Sequence, residues 1–209
     1  MSKELIIVFV KNAQLGKVKT RLAKTIGNKN ALFIYNTLVG ITKNAINNLN
    51  ISKRIYFSET IENNTWPNTE AYVQNGNNLG QRMQNAFTEA FADGYERVVL
   101  IGSDLPDINK SIIQNALTKL ENNTCVFGPA DDGGYYLIGL SKMTPSVFKN
   151  KPWSQPNLLQ ETTKELQENN ITFSTLETLN DIDTFDDLKA STFYKLNVEL
   201  QEKLKKQSC

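Results

Sequence analysis

Apolar residues along this chain fall into two alternating kinds of run. Glu4 to Val10, Ser52 to Ser58, Glu96 to Gly102 and Thr124 to Pro129 are short and almost unbroken. Runs of four to eight apolar or β-branched residues without polar alternation predict strands covered on both faces. Between them the apolar positions recur at helical spacing, as in Leu32, Tyr35, Leu38, Val39, Thr42, Ala45, Ile46 and Leu49. Met83, Ala86, Phe87, Ala90 and Phe91 form a second such face, and Ile112, Ile113, Ala116, Leu117 and Leu120 a third. These spacings predict helices over Asn28 to Asn48, Leu79 onward and Asn109 to Leu120. A short strand at Ala71 to Gln74, a helix over Gln155 to Asn169, a strand over Ile171 to Leu179 and a final amphipathic helix complete the pattern. Strands alternating with helices predict an α/β sandwich: a mostly parallel central sheet with helices on both faces, Rossmann-like in layout. The turn between the strand ending at Pro129 and the one beginning at Tyr135 is too short for a parallel crossover, so those two strands should be antiparallel.

Length and composition narrow the function classes. A chain of 209 residues suits one core. Residues 1–190 are read as the domain and 191–209 as a helix packed on it or on a partner, which leaves a homo-oligomer open. Lysine and arginine number 23 against 22 acids, so no global field recruits nucleic acid or an anionic membrane. Cys125 and Cys209 give neither a disulfide framework nor a cysteine zinc site. The apolar run from Leu5 to Val10 is too short for a secretory core and no stretch reaches membrane-spanning length, so a cytoplasmic protein is expected. There is no histidine, which excludes Ser-His-Asp and Cys-His hydrolases and His-ligated metal sites. Chemistry must run on carboxylates, lysines, arginines, backbone amides and a hard metal.

Five stretches carry candidate chemistry. The run E-R-V-V-L-I-G-S-D-L-P delivers Ser103 and Asp104 to the carboxyl end of a central strand, where open α/β sheets bind ligands. A turn residue or helix cap is the competing reading of Asp104. After the first strand, Lys11 to Leu22 carries Gly16 and places Lys17, Lys19 and Arg21 at every second position, a spacing that suits a partly extended loop. A strand, a glycine turn and a helix start could cradle a polyphosphate, although neither a Walker A loop nor a dinucleotide fingerprint is present. A solvated basic turn is the alternative. Asn75, Gly76, Leu79 and Gly80 form a polar turn into a helix, where glycines would let backbone approach a ligand or simply connect two elements. Asp131, Asp132, Gly133, Gly134 and Tyr135 exceed what a hairpin turn requires and could hold the hydroxyls of an acceptor. Trp153 is either a lid anchor or a packing residue. Near the C-terminus, Thr184 predicts an N-cap with Asp186 and Asp187 in the first helical turn. Asp181 and Asp183 precede that cap, and either could share a Mg²⁺ or Mn²⁺ with Asp104.

The blocks F-V-K-N-A-Q-L-G-K-V-K-T-R-L-A, L-G-Q-R-M, I-G-S-D-L-P, G-P-A-D-D-G-G-Y-Y-L-I-G-L and D-I-D-T-F-D-D-L, in that order, resemble the bacterial glycosyltransferase family DUF2064. That family is similar to the wider nucleotide-diphospho-sugar transferases, including the molybdenum cofactor and 2-phospho-lactate guanylyltransferases. The resemblance runs from about Ile6 to Leu188 and implies a glycosyltransferase A-type fold, a nucleotide in the crevice and a divalent metal on its phosphates. By position it implies Lys11, Gly16, Lys17, Lys19 and Arg21 as the phosphate loop and Asn75, Gly76, Leu79 and Gly80 as the segment near the base. It also implies Asp104 as the metal acid and Asp183, or Asp181 in its place, as the second ligand. The turn before Leu79 reads Q-N-G-N-N where relatives have more glycine and an Asp. The donor is expected to be a nucleotide-sugar losing a nucleoside diphosphate or a nucleoside triphosphate losing pyrophosphate, with an unidentified small-molecule acceptor. A catalytically silent nucleotide-binding module is the third expectation.

Overall fold

The computed structural model describes residues 3–62, 65–67 and 69–205. Cys209 and the end of the predicted C-terminal helix lie outside them. Seven strands form one sheet: β1 (Glu4–Val10), β2 (Ser52–Phe57), β3 (Glu70–Val73), β4 (Arg97–Ile101), β5 (Cys125–Pro129), β6 (Tyr135–Leu140) and β7 (Phe173–Thr175). Their order is β3-β2-β1-β4-β6-β5-β7. β1 is parallel to both β2 and β4, β2 to β3 and β5 to β7, while β6 runs antiparallel to β4 and β5. The short turn after β5 therefore does make the antiparallel element expected of it. From β1 the chain steps outward through β2 and β3, then returns to place β4 on the other side of β1. That reversal opens a crevice at the carboxyl ends of β1 and β4, the position at which open α/β sheets take ligands.

The central strands are apolar on both faces because helices cover both. Ile6, Val8, Val99 and Ile101 face one core with Ile112, Ile113 and Ala116 of α3 (Lys110–Lys119). Leu5, Ile7, Val98 and Leu100 face the other, with Met83, Ala86 and Phe87 of α2 (Leu79–Ala92). Leu166 of α4 (Leu158–Glu168) joins this second core. Burying a Leu, Ile or Phe side chain contributes about 1.5–3 kcal/mol, so these two layers hold the crevice walls rigid.

Three predicted elements need correction. The basic stretch is not an extended loop through Arg21, because α1 (Thr20–Asn47) starts at Thr20 and breaks only at Gly27, whose φ is 79°. The predicted helix from Asn28 is thus the second half of a longer one. The strand over Ile171 to Leu179 shrinks to β7 with one isolated bridge between Ala130 and Leu179, although Leu176 and Leu179 still donate their N–H groups to Phe127 O and Pro129 O at 2.8 and 3.0 Å. The final helix is broken into α5 (Phe185–Ala190), α6 (Thr192–Lys195) and α7 (Val198–Lys205). Ser191 is extended at φ −66° and ψ 144° and its side chain caps Tyr194, which ends one helix and starts the next. Leu188, Leu200 and Leu204 of these pieces pack with Leu22, Ile34 and Leu38 of α1. Among the described residues no helix is long and apolar enough to cross a membrane.

Candidate active site

The crevice is fixed first by backbone contacts at the end of β1. Lys11 donates its N–H to the Tyr35 hydroxyl at 2.8 Å and accepts from the same hydroxyl at its carbonyl, also at 2.8 Å. Tyr35 Oη also lies 3.2 Å from Ser103 Oγ, so α1 ties the ends of β1 and β4 together. The next residue, Asn12, is buried and accepts from the backbone N–H groups of Glu59 and Thr60 at 2.9 and 3.2 Å. Its amide donates to Thr60 O and to Glu62 Oε1, each at 2.8 Å. Asn12 and Tyr35 were not singled out from the sequence. The available signal was a polar residue directly after an apolar strand and a tyrosine on an otherwise aliphatic helix face.

The three basic residues of the first loop part company. Lys19 lies at the start of α1 with left-handed backbone, φ 47° and ψ 46°. That conformation turns its ammonium inward to Asp104, where Nζ and Oδ2 are 3.0 Å apart, with the Lys19 side chain 3% and the Asp104 side chain 39% exposed. Arg21, the second residue of the helix, reaches outward instead, and its Nη1 is 2.8 Å from Asp183 Oδ2. Lys17 is exposed and 3.8 Å from Glu59, a contact of little energetic weight. The loop therefore bridges three separate carboxylates instead of lining up three free cations.

Beside Asp104 a cavity of about 260 Å³ opens at the carboxyl end of β4. Asp104, Asp132 and Asp181 line it together with Leu79, Tyr135 and Trp153. Burial first, and then the negative charge of Asp104, push the Asp181 carboxyl up to about 6; Lys19 opposes that rise and Asp132 and Asp183 add to it. A half-buried carboxyl pushed up by burial and by a neighbouring carboxylate is part of a donor set that a hard dication would relieve. Among the described residues no three His, Cys, Asp or Glu groups converge as a complete cage. Mg²⁺ and Mn²⁺ are commonly held by one or two carboxylates with substrate phosphates completing the shell, so Asp104 and Asp181 fit such an ion. Asp183 does not line the cavity. Its carboxylate is taken by Arg21, and its N–H donates to Asp187 Oδ2 at 3.1 Å beside the Thr184–Asp187 capping box of α5.

Several sequence candidates are placed elsewhere. Ser103 is buried against Tyr35 and does not face the cavity. Gly16, Lys17, Asn75 and Gly76 lie outside the cavity lining, and the Asn75 and Gly76 carbonyls accept from Asn85 and Arg82 of α2. Gly80 serves packing, since a Cβ there would stand 2.6 Å from Phe148 O and from the Trp153 ring. Gly133, at φ 87°, lies against the backbone of Pro156, where a Cβ would meet the carbonyl oxygen at 1.8 Å. Asp131 is tied through its N–H to Leu179 O at 3.2 Å. Asp132, Gly134 and Tyr135 do line the cavity, with Asp132 Oδ1 accepting from the Gly134 N–H at 2.8 Å. Trp153 packs on Gly80, as the packing reading of it expects, and it forms a cavity wall.

The family described as "Uncharacterized protein conserved in bacteria" (DUF2064) matches residues 45–155, more than half of the chain. No protein of curated function matches it. Among solved structures, a protein of Desulfovibrio desulfuricans G20 provisionally assigned as a nucleotide-diphospho-sugar transferase superposes with a TM-score of 0.87 at 32% identity over 99% of each chain. The inositol-1-phosphate CTP transferase of T. maritima gives 0.53 at 14% identity over 98% of this chain and 96% of its own. Rv0371c of Mycobacterium tuberculosis H37Rv, in complex with manganese, gives 0.54 at 11% identity over 91% and 98%. The last two share the fold alone. With the sheet order, the site at the β1–β4 reversal and these matches together, the chain belongs to the DUF2064 family and has the nucleotide-diphospho-sugar transferase fold.

Proposed function

We propose that this protein is a divalent-cation-dependent transferase that moves a glycosyl group from a nucleotide-sugar to an acceptor hydroxyl. The observation that carries the reading is the convergence of Asp104, Asp132 and Asp181 on one cavity at the sheet's reversal point. The donor's phosphates are assigned to the mouth of that crevice, between Asp104 and the Lys17–Arg21 segment. Asp104 and Asp181 would hold a Mg²⁺ or Mn²⁺ there, which offsets the charge that builds on the leaving nucleoside diphosphate. Lys19, within 3.0 Å of Asp104, is the counter-charge that such an ion would displace, leaving its ammonium to meet a phosphate oxygen. In the transfer the acceptor oxygen forms a bond to the anomeric carbon as the bond from that carbon to the diphosphate oxygen breaks. The electron pair leaves with the diphosphate, and the hydroxyl proton passes to a carboxylate, a role assigned in this reading to Asp132, which lines the cavity. Preorganised charge and positioning do this work without a covalent intermediate.

Nucleotidyl transfer is the second reading, in which an acceptor oxygen attacks the α-phosphorus of a nucleoside triphosphate and pyrophosphate leaves. Three cations on one segment favour it, because a triphosphate tail needs more of them. Their pairing with Asp104, Asp183 and Glu59 favours the glycosyl reading, which asks for fewer. Incubation with nucleotide-sugars and nucleoside triphosphates, scoring nucleoside diphosphate against pyrophosphate, separates them. Diphosphate release that stops on chelation is expected. Pyrophosphate release would select the second reading, and silence across all donors would leave a nucleotide-binding module.

A further inference from the structure

The cavity beside Asp104 has a lopsided lining. Its interior is apolar and aromatic, built by Phe9, Met83, Leu100, Ile138, Tyr135 and Trp153, while its charged residues are the three acids Asp104, Asp132 and Asp181. Among the described residues neither a lysine nor an arginine lines it; Lys19 meets it only through its ion pair with Asp104, and Arg21 pairs with Asp183 outside the lining. A phosphate monoester carries about −1.5 to −2 charges at neutral pH, so as an acceptor in this cavity it would add to the charge of Asp132 and of the donor's own diphosphate. A cation held by Asp104 and Asp181, and the Lys19 ammonium, would be taken up by the donor's diphosphate, which leaves the acceptor beside the Asp132 carboxylate. An uncharged ligand meets none of that repulsion and covers apolar surface.

A second observation points to what such a ligand must offer. The Tyr135 hydroxyl is a buried side-chain oxygen with no hydrogen-bond partner among the described residues. Burial holds its acidity well below that of an ordinary phenol, so it stays a neutral O–H. Buried hydroxyls in native proteins are nearly always satisfied, so an unpaired one in a cavity wall calls for a partner. Its ring meets Trp153 edge-on at 6.5 Å between centroids, giving the ligand an aromatic corner. The Trp153 segment is held with non-glycine residues in left-handed backbone, Asn150 at φ 54° and Ser154 at φ 62°, a conformation that persists where surroundings impose it. At about 260 Å³ the space is below the ~300–1,000 Å³ of sites for drug-sized molecules.

Resting on the transferase reading for the word acceptor, we infer that the acceptor is a small uncharged alcohol with an apolar face, packed on Trp153, hydrogen-bonded by the Tyr135 hydroxyl and presented to Asp132. Phosphorylated acceptors are excluded from this cavity. Tyr135 is a specificity residue here.

The test uses the full chain in a Trp66→Phe background, so that Trp153 supplies the emission, with calorimetry on the unaltered chain alongside. The probes are benzyl alcohol, cyclohexanol and phenyl β-glucoside against benzyl phosphate and glucose 1-phosphate. The alcohols are expected to change Trp153 emission and to bind at least about 10-fold more tightly than the phosphate esters, the scale of one unfavourable charge contact. Tyr135→Phe is expected to weaken alcohol binding about 5-fold, one ordinary hydrogen bond, while raising the melting temperature by removing an unsatisfied group. Phosphate esters binding as tightly as the alcohols, nucleosides alone occupying the cavity, or no alcohol binding would each overturn the inference. A Tyr135→Phe variant with higher melting temperature and unchanged affinity would remove Tyr135 from it. Donor turnover is scored separately. Alcohol binding without turnover sinks the transferase reading and leaves the ligand class, whereas turnover without alcohol binding does the reverse.

Discussion

Lys19 shows how tightly the site is built at the level of single residues. Its left-handed backbone costs about 1–2 kcal/mol for a side-chain-bearing residue, and that geometry aims its ammonium at Asp104. Removing the Asp104 carboxylate leaves a buried cation without its partner. Asp104→Ala is therefore expected to lose about 1–3 kcal/mol in urea unfolding, less than a fully buried pair because Asp104 is part exposed. Asp104→Asn keeps an acceptor for Lys19 and should be nearer the parent in stability, while both variants lose turnover by at least about 100-fold. Equal stability of the Ala variant and the parent would show that Lys19 finds water instead. Asp181 makes a second residue-scale prediction, in metal-free protein under chelation. Its folded carboxyl sits at about 6 against an ordinary 3.8, so ionisation is penalised in the fold. Stability from this group is fully present below about 4 and is lost as pH rises through about 6. Asp181→Asn should raise the melting temperature at pH 8, and the gain should fade towards pH 4. A gain independent of pH would mean that charge at Asp181 is not the cause.

At the scale of elements, close backbone approach shapes the cavity wall. The N-terminus of α2 is capped by Asn78, whose side chain accepts from the Gln81 N–H at 2.9 Å. That cap sets Gly80 under Trp153 and the Phe148 carbonyl. A methyl group at Gly80 must push one of them away, so Gly80→Ala is expected to cost about 1–3 kcal/mol and to alter Trp153 emission. Unchanged stability and emission would mean that the Trp153 segment yields freely. Elements were legible in the sequence where their cause is local. Thr184 with Asp187 announced the start of α5, and unbroken apolar runs announced β1, β4 and β5. Where the cause is a distant partner, legibility failed. β7 is set by its register on β5, Cys125 to Phe127 against Phe173 to Thr175, and Gly27, at φ 79°, breaks α1 without ending it. Ser191 and Asn197 are local caps that could have been read: Asn197 Oδ1 accepts from the Leu200 N–H at 2.9 Å at the start of α7, inside what looked like one amphipathic run.

The whole molecule brings together groups that sequence cannot relate. Lys19 meets Asp104 across 85 positions and Arg21 meets Asp183 across 162. The identity of the acids was legible, since Asp104 follows the central strand and Asp181 and Asp183 precede a recognisable cap. Which of the last two faces the cavity was not, because that depends on the bridge between Leu179 and Ala130 that aims the segment. The reversal of strand order between β1 and β4 converts these side chains into one crevice, and two apolar layers keep its walls fixed. Mn²⁺ titration followed by electron paramagnetic resonance, with a nucleoside diphosphate present, tests the cation site directly. One Mn²⁺ per chain is predicted for the parent, with affinity reduced by at least about 10-fold in both Asp104→Asn and Asp181→Asn, the least that outer partners of a metal site are worth. Equal Mn²⁺ affinity in the parent and both variants would contradict a cation held between those two carboxylates.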